Sequence, residues 1–236
     1  MTQIDTVLFD LDGTIVHHGN ALMPKIIAEW GYDHSYDEIK MAVARSIQHF
    51  YSHVTQAEEQ GWVRELIREF YHLTLNELEI PDPDNTRSQA MQTFFDTNPV
   101  PPLFDDVPAV LASLRDQGRT LGVITQRGRD GAELFLAEHD IADYFDVLVA
   151  GDDGHGRKPT AQPFERALDV LGIAGANAVY IGDRIDDDCE GAQGAGLNKA
   201  FLIDRDEIFS IQAEDRDDFI YLTDMAQLLS HLETGS

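Results

Sequence analysis

The chain alternates short apolar runs with polar loops and longer stretches of helical period. Five runs read as strands: Thr6-Val7-Leu8-Phe9, Leu121-Gly122-Val123-Ile124, Val147-Leu148-Val149, Val179-Tyr180-Ile181 and Ala200-Phe201-Leu202-Ile203. Phe219-Ile220-Tyr221-Leu222 is a weaker sixth. Between them, Val107 to Gln117 and Pro163 to Leu171 read as helices, each followed by a glycine (Gly118, Gly172) placed to stop it. Arg129 to His139 is a third helical stretch, with apolar positions at Ala132, Leu134, Phe135 and Leu136. Strands that are apolar throughout, alternating with helices, are buried on both faces. The expected fold is therefore a doubly wound parallel α/β sheet.

Residues from about 16 to 100 interrupt this alternation and show no convincing strand. Ile39, Val43, Ile47, Phe50 and Val54 repeat at helical spacing, as do Trp62, Leu66, Phe70 and Leu73. Pro81-Asp82-Pro83-Asp84 divides the stretch, and Asn98-Pro99-Val100-Pro101-Pro102 closes it as a stiff linker. The expectation is a core made of residues 1–15 and 101–236, with an all-helical insert over 16–100.

Composition narrows the function. The 236 residues carry 43 acids against 17 Lys and Arg, a formal charge of −26, so neither nucleic acid nor an anionic membrane surface is an expected partner. The single cysteine excludes an internal disulfide framework. No basic-then-apolar leader opens the chain and no apolar run is long enough to span a bilayer, so a cytoplasmic protein is expected. Lysine occurs only at 25, 40, 158 and 199. That suits either a salt-adapted surface or an ordinary acidic protein, with plentiful Ile and Phe weighing against the first. In so acidic a chain, an Asp cluster means little without position and order.

Position and order are what the strand ends supply. The first strand runs into Asp10-Leu11-Asp12-Gly13-Thr14, where extended alternation puts both carboxylates on one side and Gly13 permits a sharp exit. Paired acids there offer a nucleophile, an acid/base and a hard oxygen site for a divalent cation. Thr125 ends the second strand, Lys158-Pro159 follows the third, and Gly182-Asp183 ends the fourth before Asp186-Asp187-Asp188. Ligands bind at the carboxyl ends of such strands, so acid pair, hydroxyl, lysine and acid converge on one rim.

These four segments, with their order and spacing, closely resemble the motifs of the haloacid dehalogenase (HAD) superfamily across the whole chain. The resemblance implies a Rossmann-like core and a helical cap inserted after motif I, as in phosphoglycolate-phosphatase-like members. It implies that Asp10 attacks phosphorus to form an aspartyl-phosphate, and that Asp12 protonates the leaving oxygen and then activates water. Mg²⁺ would sit on the Asp10 carboxylate, the Asp12 carbonyl, Asp183 and a further acid. Asp188 is the better phased for that last place, with Asp187 the runner-up. Thr125 and Lys158 would hold the transferring group, with Gly13 and Gln126 beside the substrate. The implied activity is a Mg²⁺-dependent phosphatase for a small phosphorylated metabolite. A phosphomutase is the alternative; a metal-free dehalogenase or a non-catalytic phospholigand binder is further off. Asp12 favours the phosphatase over the dehalogenase, which has an aromatic residue there. Gln126, in place of the usual Asn, and His17-His18, in place of an acid, leave the substrate open. Monomer and homodimer both remain open.

Other signals carry blander readings. Arg127, Arg129, Arg157, Lys158 and Arg184 fall in or beside the motif loops and could gather an anionic substrate, although loops are polar in any case. His49 and His53, four apart, with His72 elsewhere, read as a helix face rather than a zinc site. Phe50, Tyr51, Trp62, Phe70 and Tyr71 read mostly as insert core, Cys189 as packing, and Lys25 and Lys40 as surface.

Overall fold

A computed structural model describes residues 4–97, 100–205, 207, 209–213 and 216–234. Asn98 and Pro99 of the expected linker lie outside these residues. The chain divides into two compact units, Met1–His17 with Pro102–Ser236, and His18–Pro101.

The first unit is built on β1 (Thr6–Phe9). The helical unit supplies α1 (Met23–Glu29), α2 (Tyr36–Gln60), α3 (Val63–Glu77) and α4 (Thr86–Thr97). The first unit then continues with α5 (Val107–Asp116), β2 (Thr120–Ile124), α6 (Arg129–Glu138), β3 (Val147–Val149) and α7 (Gln162–Leu171). It ends with β4 (Ala178–Gly182), α8 (Gly191–Gly194), β5 (Lys199–Ile203), α9 (Ser210–Ala213), β6 (Phe219–Leu222) and α10 (Ala226–Thr234).

The six strands form one sheet in the order β3-β2-β1-β4-β5-β6, every pair parallel. All four residues of β1 are buried, because β1 is covered on both faces and flanked on both edges. The register aligns Val147, Gly122, Leu8, Tyr180, Ala200 and Phe219 in one row. Gly122 is obligatory in that row: a Cβ would lie 2.5 Å from Val147 Cγ1 and 2.7 Å from Leu8 Cδ2. Phe164, Ala167 and Leu168 of α7, with Cys189 and Ala192, pack on this face.

The order in which strands are added to the sheet reverses at β1. Successive strands run outward to β3, and β4 then returns to the other side of β1. A doubly wound sheet opens a crevice at such a switch point, beyond the carboxyl ends of the two strands. Here those ends carry Asp10 and Asp183.

The helical unit contains no strand among its described residues. A capping box starts α2, with Ser35 N donating to Glu38 (2.8 Å) and Glu38 N to Ser35 Oγ (3.2 Å), and Gly61 stops it in the left-handed conformation (φ 77°). Met23, Ile26 and Ile27 of α1 join Ile39, Leu75 and Met91 in the core of this unit. No helix of the described residues is long and apolar enough to cross a membrane.

Candidate active site

The crevice is shaped first by backbone. Asp10 N donates to Ile181 O (2.9 Å), so the residue after β1 stays in register beside β4. Leu11 is fully buried, and its carbonyl accepts from Ile15 N (2.9 Å) and Val16 N (3.0 Å). This closes a tight loop in which Gly13 takes φ 81° and donates to Val16 O (2.7 Å). Asp10 therefore points into the buried floor, while Asp12 sits a quarter exposed on the rim.

The other loops are held to one another. Thr125 N donates to Val149 O (2.9 Å), and its hydroxyl accepts from Arg127 N (3.1 Å). Gln126 Nε2 donates to the Lys158 carbonyl (2.8 Å), tying the loop after β2 to the loop after β3. Gly151 makes that approach possible, because a Cβ there would lie 2.2 Å from the Gln126 carbonyl oxygen. The Lys158–Pro159 peptide is cis.

At the centre, the buried Lys158 Nζ donates to Asp10 Oδ1 (2.6 Å), Asp188 Oδ1 (2.6 Å) and Tyr180 Oη (3.0 Å). An ammonium has three N–H donors, and all three are spent. Tyr180 Oη also lies 3.1 Å from both Asp188 Oδ1 and Ile124 O, and its single proton serves one of them. After Asp183 the chain makes a π-helical turn, Ile185–Glu190, which swings Asp188 back beneath the strand end. Asp188 Oδ2 accepts from Arg184 N (3.0 Å). Its carboxyl carbon lies 2.2 Å from where a Cβ on Gly182 would be, so the glycine before Asp183 is a clearance for Asp188.

One carboxylate oxygen each from Asp10, Asp183 and Asp188 falls within 4.8 Å of the others. Burial pushes the Asp10 carboxyl well above its ordinary range; Lys158 opposes this, while Asp188 and Asp183 add to it. Burial likewise raises Asp188, again opposed by Lys158. Burial disfavours the Lys158 ammonium, but Asp10 and Asp188 more than offset that and hold it charged. Three clustered carboxylates, two of which share one ammonium, leave surplus negative charge among hard oxygen donors, a set that fits a divalent cation.

Asp187 is not part of this cluster. It pairs with Arg184 Nε (3.4 Å), and Asp186 pairs with Arg184 Nη2 (3.3 Å). Of the five basic residues at the loops, four are held by acids, and the Arg157 side chain reaches only the Gln126 carbonyl (3.4 Å) among the described residues. Arg129 is taken by Asp153 and Glu133, Arg184 by Asp186 and Asp187, and Lys158 by the buried acids. Arg127 holds the Asp12 carboxylate with both Nε and Nη2. In the helical unit His53 Nδ1 lies 2.8 Å from the His49 carbonyl, and His49 Nε2 lies 3.2 Å from Glu69. His72 caps Asp82 at 3.0 Å. Cys189 is fully buried in the core of the first unit, with its thiol pushed up by burial.

Sequence reasoning did not single out Tyr180, the Asp12–Arg127 pair or the clearances at Gly151 and Gly182. Tyr180 left one trace: it is the one residue with a polar side-chain group in the run from Ala178 to Gly182.

Three comparisons bear on this geometry. The family model for haloacid dehalogenase-like hydrolases matches residues 4–196. Pyrophosphatase PpaX of Bacillus cereus (strain AH820) is 27% identical over 205 residues, covering 84% of this chain and 82% of the relative. Among solved structures, the HAD-hydrolase YfnB of Bacillus subtilis, bound to magnesium, superposes with a TM-score of 0.70 at 18% identity, over 98% of this chain and 99% of that one. A predicted phosphoglycolate phosphatase from Haemophilus somnus gives 0.65 at 19% identity, covering 98% and 99%. L-2-haloacid dehalogenase from Xanthobacter autotrophicus gives 0.67 at 15%, covering 99% and 100%. With its parallel sheet, its acid cluster and a family match over most of its length, the chain belongs to the haloacid dehalogenase-like hydrolases.

Proposed function

We propose that the protein is a Mg²⁺-dependent phosphatase that cleaves a small phosphorylated metabolite through an aspartyl-phosphate. The observation that carries this reading is the fixing of Asp10 by Lys158 at 2.6 Å beside Asp183 and Asp188, with a second acid, Asp12, two residues on. Lys158 takes Asp10 Oδ1, which leaves Oδ2 to attack phosphorus. As the new O–P bond forms, the bond to the leaving oxygen breaks and Asp12 gives that oxygen its proton. Water then attacks the aspartyl-phosphate, Asp12 takes the water's proton, and phosphate leaves with Asp10 restored. The Thr125 hydroxyl donates to a transferring oxygen, and the Lys158 ammonium, its three N–H groups engaged, acts through its charge alone on Asp10 and the transferring group. Neutralising charge in this way is most of what phosphoryl transfer asks of a protein. Mg²⁺ held by Asp10, Asp183, Asp188 and the Asp12 carbonyl would neutralise charge between these acids and the phosphoryl group.

Asp12 supports the phosphatase over a dehalogenase, since attack on carbon has no leaving oxygen to protonate. The relatives named as pyrophosphatases fit phosphoryl chemistry. The test is phosphate release from p-nitrophenyl phosphate in Mg²⁺, abolished by EDTA and lost in Asp10→Asn. Equal release by the wild type and Asp10→Asn refutes the assignment.

A further inference from the structure

Arg127 has more binding capacity than Asp12 uses. Its guanidinium carbon lies 4.2 Å from the centroid of the Phe135 ring. Its stem passes Gly131, where a Cβ would come within 3.3 Å of Arg127 Cδ, so that glycine clears a strip of α6 for the arginine. The fork is thus seated against the first unit rather than waving in solvent. Asp12 takes the side-on edge, Nε and Nη2. A guanidinium has a second edge, Nη1 with the remaining N–H of Nη2, that matches another planar pair of oxygens. That edge has no partner among the described residues, and 32% of the side chain is exposed.

We propose that this second edge of Arg127 receives an anion carried by the leaving group. The enzyme then selects phosphoryl compounds whose leaving group bears a carboxylate or a second phosphate close to the bridging oxygen. This rests on the assignment of Asp12 as proton donor to that oxygen. Arg127 shares the Asp12 carboxylate, so its open edge lies next to the place where the leaving oxygen departs. A neutral alcohol there leaves the edge to water. An anion fills it with a pair of charge-assisted hydrogen bonds, in a protein whose overall charge of −26 otherwise repels anions.

The test compares kcat/KM within two substrate pairs, in Mg²⁺, for wild type, Arg127→Met and Arg127→Lys. One pair is 2-phosphoglycolate against 2-hydroxyethyl phosphate, which replaces the carboxylate by a neutral CH₂OH. The other is inorganic pyrophosphate against methyl phosphate. Any harm to Asp12 is common to both members of the first pair, whose leaving alcohols are of similar acidity, and cancels in that ratio. In the second pair phosphate needs less help from an acid than methoxide, so harm to Asp12 raises the ratio and only a fall reports the anion contact. The ratio is expected to fall about 10- to 100-fold in Arg127→Met, the worth of hydrogen bonds to a charged group. Arg127→Lys keeps the charge without the fork and is expected to lose part of the ratio. It carries the test alone if Arg127→Met fails to melt cooperatively. The pair whose ratio falls identifies the anion as carboxylate or phosphate. Ratios that fall in neither pair overturn the proposal and leave Arg127 as a holder of Asp12. Wild-type turnover of p-nitrophenyl phosphate that survives in Asp10→Asn would instead overturn the phosphatase assignment beneath it.

Discussion

Replacing Tyr180 by Phe tests whether the buried hub is one cooperative unit. The ring is fully buried and packs edge-on against Phe164, with centroids 5.0 Å apart, and Phe preserves both. Only Oη is lost, and with it the third acceptor of Lys158 Nζ at 3.0 Å and one donated bond to Asp188 or Ile124 at 3.1 Å. No cavity larger than an oxygen atom opens, so the cost is polar. The Lys158 ammonium keeps a buried N–H with no acceptor. Two hydrogen bonds, one of them to a charged donor, put the loss at about 1–3 kcal/mol. For a chain of this length that is a fall of roughly 2–10 °C in melting temperature. Lys158 also loses one of the three contacts that fix its direction, and each 1.4 kcal/mol of positioning lost in the transition state is about tenfold in kcat. Circular dichroism melts and steady-state hydrolysis of p-nitrophenyl phosphate read the two effects together. A variant that melts within about 1 °C of wild type with kcat unchanged shows that the hydroxyl is a passenger.

Three more outcomes follow from the same geometry. Gly182→Ala is expected to drive Asp188 from its place, because the new Cβ would meet the carboxyl carbon at 2.2 Å, costing about 1–3 kcal/mol and abolishing Mg²⁺-dependent turnover; activity near wild type would show that Asp188 is dispensable. MgCl₂ at about 100 times its Kd is expected to raise the melting temperature by roughly 5–10 °C, a shift absent in Asp183→Asn, and calorimetry of MgCl₂ with each protein checks the binding. Burial alone would raise the Asp82 carboxyl, but hydrogen bonds from Ser88, His72 and Arg87 hold it below its ordinary value. Its stabilisation is therefore present above about pH 4 and lost as pH falls through the folded-state value. Melting curves of Asp82→Asn should be lower than wild type at pH 7 and converge with it in acid.

How much of the fold was legible depends on which force sets each element. Six apolar runs marked six strands, because a strand buried on both faces cannot carry solvent-seeking side chains. Their ends were less legible. β2, β4 and β5 each begin one residue earlier than the run that marked them, at Thr120, Ala178 and Lys199. Ladder pairing brings these residues into the sheet, Thr120 and Ala178 against Thr6 and Lys199 against Val179, and pairing leaves no mark on hydropathy. In the helical unit the long periodic helices α2 and α3 stood out. α4 did not, since it contributes few apolar residues and is placed by contacts such as Gln92 Nε2 to the Arg64 carbonyl (2.9 Å) and the Asp82 cap on Arg87 N (2.8 Å).

The site divides in the same way. Asp10, Thr125, Lys158 and Asp183 were visible because each follows a strand, and parallel strands deliver their ends to one rim. Choosing among Asp186, Asp187 and Asp188 needed helical phase, and the π-helical turn brings Asp188 to Lys158 while leaving its two neighbours on Arg184. Tyr180 and the hold of Arg127 on Asp12 were hidden for different reasons. Tyr180 sits in an apolar run, where a tyrosine passes for one more large packing residue. Arg127 stood out as one of five basic residues that could gather an anionic substrate, but nothing along the chain marked Asp12 as its partner. Each acquires its role from a partner more than 20 residues away in sequence, at Lys158 and Asp12 respectively. Pattern along a chain reveals which residues must be buried and where strands end. It does not reveal which polar atom will complete the shell of a buried charge, because that is settled only when the strands close side by side.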